Sequence, residues 1–231
     1  MTGCLAQRYK EEIRKEIPEV DAILGTNSYE DIVNAITEAL GGRFYENFET
    51  LEGLPKLTAK RSVTTGGHFA YLKIAEGCNK RCTYCIIPYI RGNYRSVPME
   101  ELVAQAKELV AAGAKELILV AQETTLYGVD LYGEKSLHKL LDALNEIPGL
   151  FWIRIMYCYP EEIYEELIDA IARNEESLSL PGSADPARQR YHAKADGQTH
   201  QQRGSCAHYH AFERADSGHH APDDTYLRIP G

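Results

Sequence analysis

Three times between residues 69 and 171 a short apolar run is followed by a stretch whose apolar residues recur every three or four positions. The runs at 69–74, 117–121 and 151–157 have strand length, and the middle one has no polar break, as expected of a strand covered on both faces. After each run a helical face can be read: Leu102, Val103, Ala106, Leu109 and Val110, then Leu137, Leu140, Leu141 and Leu144, then Ile163, Leu167, Ile168 and Ile171. Pro98 opens the first helix and Gly113 closes it. Ser136 is placed to cap the second, which ends at Pro148-Gly149, and Pro160 with Glu161 and Glu162 starts the third. Strands joined through helices pair in parallel, so this repetition dictates an α/β fold with crossover connections, in a barrel or a doubly wound sheet.

The flanks follow other rules. Residues 1–42 read as helix, short strand, helix: Ile13 and Ile17 recur at helical spacing, Ala22 to Leu24 is a brief apolar run, and Ser28 can cap a helix carrying Ile32, Val33, Ile36 and Leu40. Such a scrap is too small for a sheet of its own and reads as the end of an α/β unit. With Met1 followed at once by Thr2-Gly3-Cys4, sequence upstream is expected to be missing. Residues 43–67 show no sustained period and read as a linker, and 68–175 hold the three β-α units. From Glu176 the periodicity stops. Six of the eight histidines fall in residues 176–231, among Pro, Gly, Ala and Asp. A segment with so little apolar surface is expected to stay disordered; a His-rich metal-binding tail is the other reading, though its spacings match no ligand set.

The net charge of −9 argues against nucleic-acid or membrane binding driven by overall charge. No apolar run reaches the length of a membrane span and no secretion signal is visible, so the chain is expected in the cytoplasm. In that reducing compartment its six cysteines are better metal or redox candidates than disulfide partners. Three of them, Cys78, Cys82 and Cys85, sit in one short loop after the first strand. A structural zinc site normally uses four ligands in two pairs, and only Cys82-x-x-Cys85 has that form; zinc remains an alternative. Clustered soft thiolates suit iron and sulfide. From Gly77 to Met99 there is no acidic residue, while Lys80, Arg81, Arg91 and Arg95 supply a local positive charge suited to an anionic partner or to a solvated rim.

The pattern Cys78-x-x-x-Cys82-x-x-Cys85, with Tyr84 before the third cysteine, resembles the radical S-adenosylmethionine (SAM) superfamily. The stretches TGCLAQRY, AYLKIAEGCNKRCTYCIIPYIRGNYRS, ELILVAQETTLYGVDLYG and WIRIMYCYP are together similar to the methylthiotransferases of the RimO type, over residues 2 to about 175. The resemblance implies a partial (β/α) radical SAM barrel preceded by the end of a methylthiotransferase N-terminal domain. It implies a 4Fe-4S cluster on Cys78, Cys82 and Cys85, whose fourth iron, free of protein ligands, chelates SAM for reductive cleavage to a 5'-deoxyadenosyl radical. Tyr84 and Gln122 are the implied SAM-pocket residues. Cys4 matches the last of three cysteines that hold an auxiliary 4Fe-4S cluster, and its two companions are not in this sequence. The implied reaction adds a methylthio group to the β-carbon of an aspartate in small-subunit ribosomal protein S-twelve, with flavodoxin or ferredoxin as electron donor. The MiaB type, which modifies tRNA, is the alternative within the superfamily; it usually carries an Asn-containing sequence where this chain has Gln122-Glu123-Thr124-Thr125. Cys158 and Cys206 read as structural or incidental.

Codons can be chosen for residues 191–197 that give family-like residues when read one base later, so a frameshift near Glu176 is the expected origin of residues 176–231. A sheet of three strands leaves the third as an exposed parallel edge, from which low solubility and marginal stability follow.

Overall fold

The computed structural model of the chain describes residues 1–55, 63 and 67–174. It opens with helix α1 (Cys4–Glu16) and strand β1 (Ala22–Leu24), followed by a 3-10 turn (Tyr29–Asp31), helix α2 (Ile32–Leu40) and strand β2 (Tyr45–Asn47). β1 and β2 pair in parallel, and Thr2 bridges to Leu24 on the other side of β1. β2 lies inside the stretch expected to be a linker. It escapes sequence detection because Tyr-Glu-Asn carries no apolar pattern, and its place is fixed by Phe48, which packs with Ala6, Ile13 and Ile23.

The main sheet is built from β3 (Phe69–Lys73), β6 (Glu116–Val120) and β7 (Trp152–Ile155), parallel throughout, in the order β3-β6-β7. Between β3 and β6 come β4 (Ala75–Glu76), α3 (Ile87–Arg91), β5 (Arg95–Ser96) and α4 (Met99–Ala111). The short helix α5 (Val129–Tyr132) and α6 (Leu137–Asn145) connect β6 to β7, and a 3-10 turn (Pro160–Glu162) leads from β7 to α7 (Glu165–Arg173). These are three parallel β-α units, as the alternation predicts, and they agree with the partial barrel that the resemblance implies.

Side chains leave β3 in alternation. Ala70 and Leu72 point into the helical layer, where they meet Leu102, Ala106, Leu140, Leu144 and Leu167 in one core. Burying each such leucine stabilises the fold by about 1.5–3 kcal/mol. Phe69, Tyr71 and Lys73 point to the other face, and Tyr71 is 45% exposed there. On that face Arg154 Nε donates to Glu116 Oε1 at 2.6 Å, an ion pair between neighbouring strands. β6 is central, which explains its unbroken apolar run; among the described residues β3 and β7 are the outer strands.

Several helix starts differ from expectation. Ser28 precedes a 3-10 turn and its hydroxyl accepts from the Glu49 N–H at 2.7 Å instead of capping. Ser136 Oγ donates to the Glu134 carbonyl at 3.1 Å. α7 begins after an extended Tyr164, since the residues from Pro160 form only a 3-10 turn. The α2 face of Ile32, Val33, Ile36 and Leu40 is helical but exposed, and only Ala35 of that helix is buried. No helix among the described residues is long and apolar enough to cross a membrane. The expectations for residues 176–231, including disorder, the His-rich segment and the frameshift, lie outside the described residues.

Candidate functional site at the strand ends

The cysteine loop is closed by backbone pairing before any side chain contributes. Leaving β3, the chain forms β4, which pairs antiparallel with β5 through Ala75↔Ser96 and Glu76↔Arg95, so residues 77–94 form a loop tied at its base. Gly77 makes the exit. Its φ is +74°, and a Cβ there would lie 2.1 Å from the Asn93 carbonyl oxygen, so no other residue fits without moving the loop. The Cys78 N–H donates to the Gly92 carbonyl at 3.1 Å and the Tyr94 N–H to Asn79 Oδ1 at 3.0 Å. Tight turns then present the remaining thiols: Cys82 N–H donates to Lys80 O at 2.7 Å and Cys85 N–H to Cys82 O at 3.0 Å, and α3 starts two residues later.

Cys78 is buried and Cys82 and Cys85 are half-buried. Burial pushes the Cys78 thiol up, the Lys80 N–H at 3.4 Å from its Sγ opposes this, and negative charge on Glu123, Cys85 and Cys82 adds to the rise. The three thiols thus lie close enough to feel one another. No three His, Cys, Asp or Glu side chains among the described residues converge as ligands of a single metal ion. A polynuclear cluster makes a different demand, since each thiolate binds its own iron; three soft donors on one loop are of the type that such a cluster takes. Tyr84 is 60% exposed beside Cys82 and Cys85.

Lys80 fastens this loop to the rest of the sheet. Its Nζ lies 3.3 Å from Glu123 Oε2, 3.2 Å from Glu162 and 3.3 Å from Glu161, and 4.2 Å from the centre of the Tyr159 ring. Glu123 follows the end of β6 and is fully buried. Its Oε1 accepts from the Thr125 hydroxyl, while Oε2 has the Lys80 charge opposite but no aligned hydrogen bond. Burial raises its carboxyl above the usual range, with Thr125 and Lys80 pulling the other way. Tyr94 completes the attachment by donating to the Glu123 carbonyl at 2.8 Å.

Beside the loop, at the C-terminal ends of β3 and β6, lies a cavity of about 310 Å³ lined by Lys73, Val120, Ala121, Gln122 and Tyr157. Gln122, the polar residue that ends the second strand, is therefore on its wall. Tyr157 adopts φ +60°, an unfavourable conformation for a tyrosine, held by Thr124, whose N–H and hydroxyl both donate to the Tyr157 carbonyl at 3.2 Å. Lys73 pairs with Glu76, whose second oxygen accepts from Arg91 Nη1 at 2.7 Å. Burial and the Arg91 charge lower the Lys73 ammonium to about 8, with the charge of Cys4 acting in the opposite sense. Cys4 is the first residue of α1, whose preceding Gly3 N–H is anchored on the Leu24 carbonyl at 3.2 Å. α1 packs near α3, and the Cys4 charge acts on Lys73.

The basic segment looks different in three dimensions. Lys80 is bound by acids that follow β6 and β7, Arg91 by Glu76, and Arg95 donates to the carbonyls of Asn93 at 2.5 Å and Arg91 at 3.0 Å. Of the four cations, only Arg81 stands fully exposed. Cys158 is buried against Thr124 Oγ1 at 3.2 Å, and desolvation pushes its thiol up to about 12, as suits a structural cysteine. Cys206 lies outside the described residues. Sequence reasoning gave no part to Lys73, Glu76, Glu123 or Tyr157. For Lys73 and Glu76 the available signal was charge placed at the end of an apolar strand.

The model of the radical SAM superfamily matches residues 72–203, running past the break in periodicity at Glu176. Among curated proteins, the chain is 62% identical over 171 residues to the ribosomal protein uS12 methylthiotransferase RimO of Lachnoclostridium phytofermentans, an alignment covering 74% of this chain and 39% of the relative. It is 51% identical over 174 residues to the protein of that name from Clostridium acetobutylicum, covering 75% and 39%, and 50% identical over 182 residues to that from Acetivibrio thermocellus, covering 76% and 40%. The chain thus spans about 40% of the length of these relatives.

Proposed function

Given that this chain belongs to the radical SAM superfamily, we propose that it carries the SAM-cleaving part of a methylthiotransferase that acts on the β-carbon of an aspartate in small-subunit ribosomal protein S-twelve. The observation that supports this reading is that the loop of Cys78, Cys82 and Cys85 follows β3 at the end of the strand where Lys73 and Gln122 line a cavity. Cys78, Cys82 and Cys85 would hold a 4Fe-4S cluster, and Tyr84 and Gln122 would face SAM. Cys4 would be one ligand of an auxiliary cluster whose remaining ligands this sequence does not supply. When bound, the first cluster supplies an electron for reductive cleavage of SAM.

The chain's own residues do the positioning. Gly77 and the β4–β5 pairing fix the base of the loop, and Lys80 fixes its far side against Glu123 and the turn after β7. Cys78 is withdrawn from solvent while Cys82 and Cys85 stay partly open, which shields one ligand and leaves the others toward the space where SAM would enter. A cytoplasmic setting, with flavodoxin or ferredoxin as the electron donor, belongs to the same proposal.

Anaerobic reconstitution followed by iron and sulfide analysis tests it. Iron and labile sulfide in about equal amounts, lost together when Cys78, Cys82 and Cys85 are replaced by alanine, and 5'-deoxyadenosine released from SAM on reduction, are the expected results. Zinc without sulfide would instead make the loop a structural metal module. Sulfur gained by tRNA rather than by S-twelve, when a full-length relative is supplied with both, would move the reading to the MiaB type.

A further inference from the structure

Lys73 stands where the proposed reaction needs a group that can recognise its substrate. It is the last residue of β3, points away from the helical core, and lines the cavity shared with Gln122 and Tyr157. Its charge surroundings are unbalanced. Lys73 and Arg91 share one carboxylate, Glu76, which is 1% exposed and gives one oxygen to each. Two cations against one anion leave a net positive charge; the Arg95 charge adds to it at Lys73 and the Cys4 charge opposes it. An ammonium has three donors, and Glu76 takes one. Its side chain is 44% exposed and lines the cavity, so donors that Glu76 does not take remain for a ligand there.

We propose that Lys73 is a specificity-determining residue that binds the carboxylate of an aspartate side chain entering this cavity. The inference rests on the reading given under Proposed function and adds the group that recognises the substrate. Two anions compete for the assignment. In the superfamily's scheme the carboxylate of SAM is chelated by iron, so it does not need Lys73. A tRNA adenosine offers an uncharged base at the reacting position. An aspartate side chain brings a single negative charge next to the carbon to be modified, and it offsets the single excess positive charge of the Lys73–Glu76–Arg91 group. The bond is a charge-assisted hydrogen bond, whose loss lowers affinity by about ten- to a hundredfold.

The test uses the reconstituted full chain and two neutral-capped probes, N-acetyl-aspartate amide and N-acetyl-asparagine amide, with binding followed by ligand-observed NMR. The wild type should bind the aspartate probe at least tenfold more tightly than the asparagine probe. Lys73→Met should remove that preference, and Lys73→Arg should restore most of it; circular dichroism confirms that the variants remain folded. A preference that survives Lys73→Met, or a wild type that binds the two probes equally or binds neither, overturns the proposal. So does an RNA hairpin that displaces the aspartate probe from the wild type and depends on Lys73 for its own binding. Reductive SAM cleavage is measured on the same samples. Its absence with the aspartate preference intact would count against the proposed enzyme and spare the anion site, whereas normal cleavage without any preference would count against Lys73 alone.

Discussion

Replacing Lys80 by methionine removes the one cation that faces the buried carboxylate of Glu123. At 3.3 Å and an effective dielectric constant of about 20, the gross attraction is about 5 kcal/mol. The net loss is smaller, because Glu123 can take up a proton instead of staying charged and unpaired. Protonating a carboxyl whose unfolded pKa is about 4.3 costs about 3.7 kcal/mol at pH 7, and this sets a ceiling. Glu162, at 3.2 Å and partly exposed, adds a little, and Glu161, at 3.3 Å and 47% exposed, adds almost nothing. The expected destabilisation is about 2–4 kcal/mol at pH 7. Its pH dependence follows from the sign of the Glu123 shift. A carboxyl raised by burial stabilises the fold at pH values below the ordinary glutamate range, and that contribution is lost as pH rises through its folded value. Without Lys80 the rise is larger, so the gap between wild type and variant is small in acid and widens toward neutrality; at pH 5 the ceiling falls to about 1 kcal/mol. Urea unfolding of the iron-free protein, followed by fluorescence of Trp152, the single tryptophan, on β7, measures both values. Adding Glu123→Gln to Lys80→Met should recover most of the loss, because an amide needs no counterion. A loss under about 1 kcal/mol at pH 7, or one that is undiminished at pH 5, would refute the reasoning.

Other perturbations probe the loop and the core. Gly77→Ala should cost about 3 kcal/mol or more, and should lower iron retention after reconstitution, because the new Cβ would sit 2.1 Å from the Asn93 carbonyl at a positive φ. In the iron-free protein, Cys82 and Cys85 should react with a thiol reagent at pH 8 well before Cys158, whose thiol is buried and pushed up to about 12; equal rates in the native state would contradict the assigned burial. Leu119→Ala, on the central strand β6 and fully buried, should lower stability by about 3–5 kcal/mol in the same urea assay. Tyr127→Phe should cost about 1–2 kcal/mol, since the hydroxyl donates to the Val97 carbonyl at 2.8 Å and its loss leaves that oxygen unsatisfied.

The parallel sheet and the cysteine loop were legible because each is written locally. Leu117 to Val120 announces a central strand without reference to anything else, and Cys78, Cys82 and Cys85 share one short segment. What escaped was set by partners distant in the chain. Lys80 read as part of a free basic patch until Glu123, Glu161 and Glu162 were folded against it. Ser28 and Ser136 have the right chemistry for caps, but the Glu49 N–H and the Glu134 carbonyl claim their hydroxyls. The apolar spacing of α2 correctly marked a helix, yet periodicity tells only that a face is apolar; Ile32, Val33, Ile36 and Leu40 remain open to solvent. β2 was missed because a three-residue strand on a sheet rim needs no hydrophobic alternation.

The two-residue ladder between β4 and β5 also bears on timing during synthesis. It ties Ala75 to Ser96, so every thiol of the loop, the glycine that admits the turn and the strand that closes it lie in one short stretch that emerges from the ribosome before β6 and β7 do. Closing so short a stretch of chain carries a modest entropic penalty. Lys80 can lock the loop only once Glu123 and Glu162 have emerged as well.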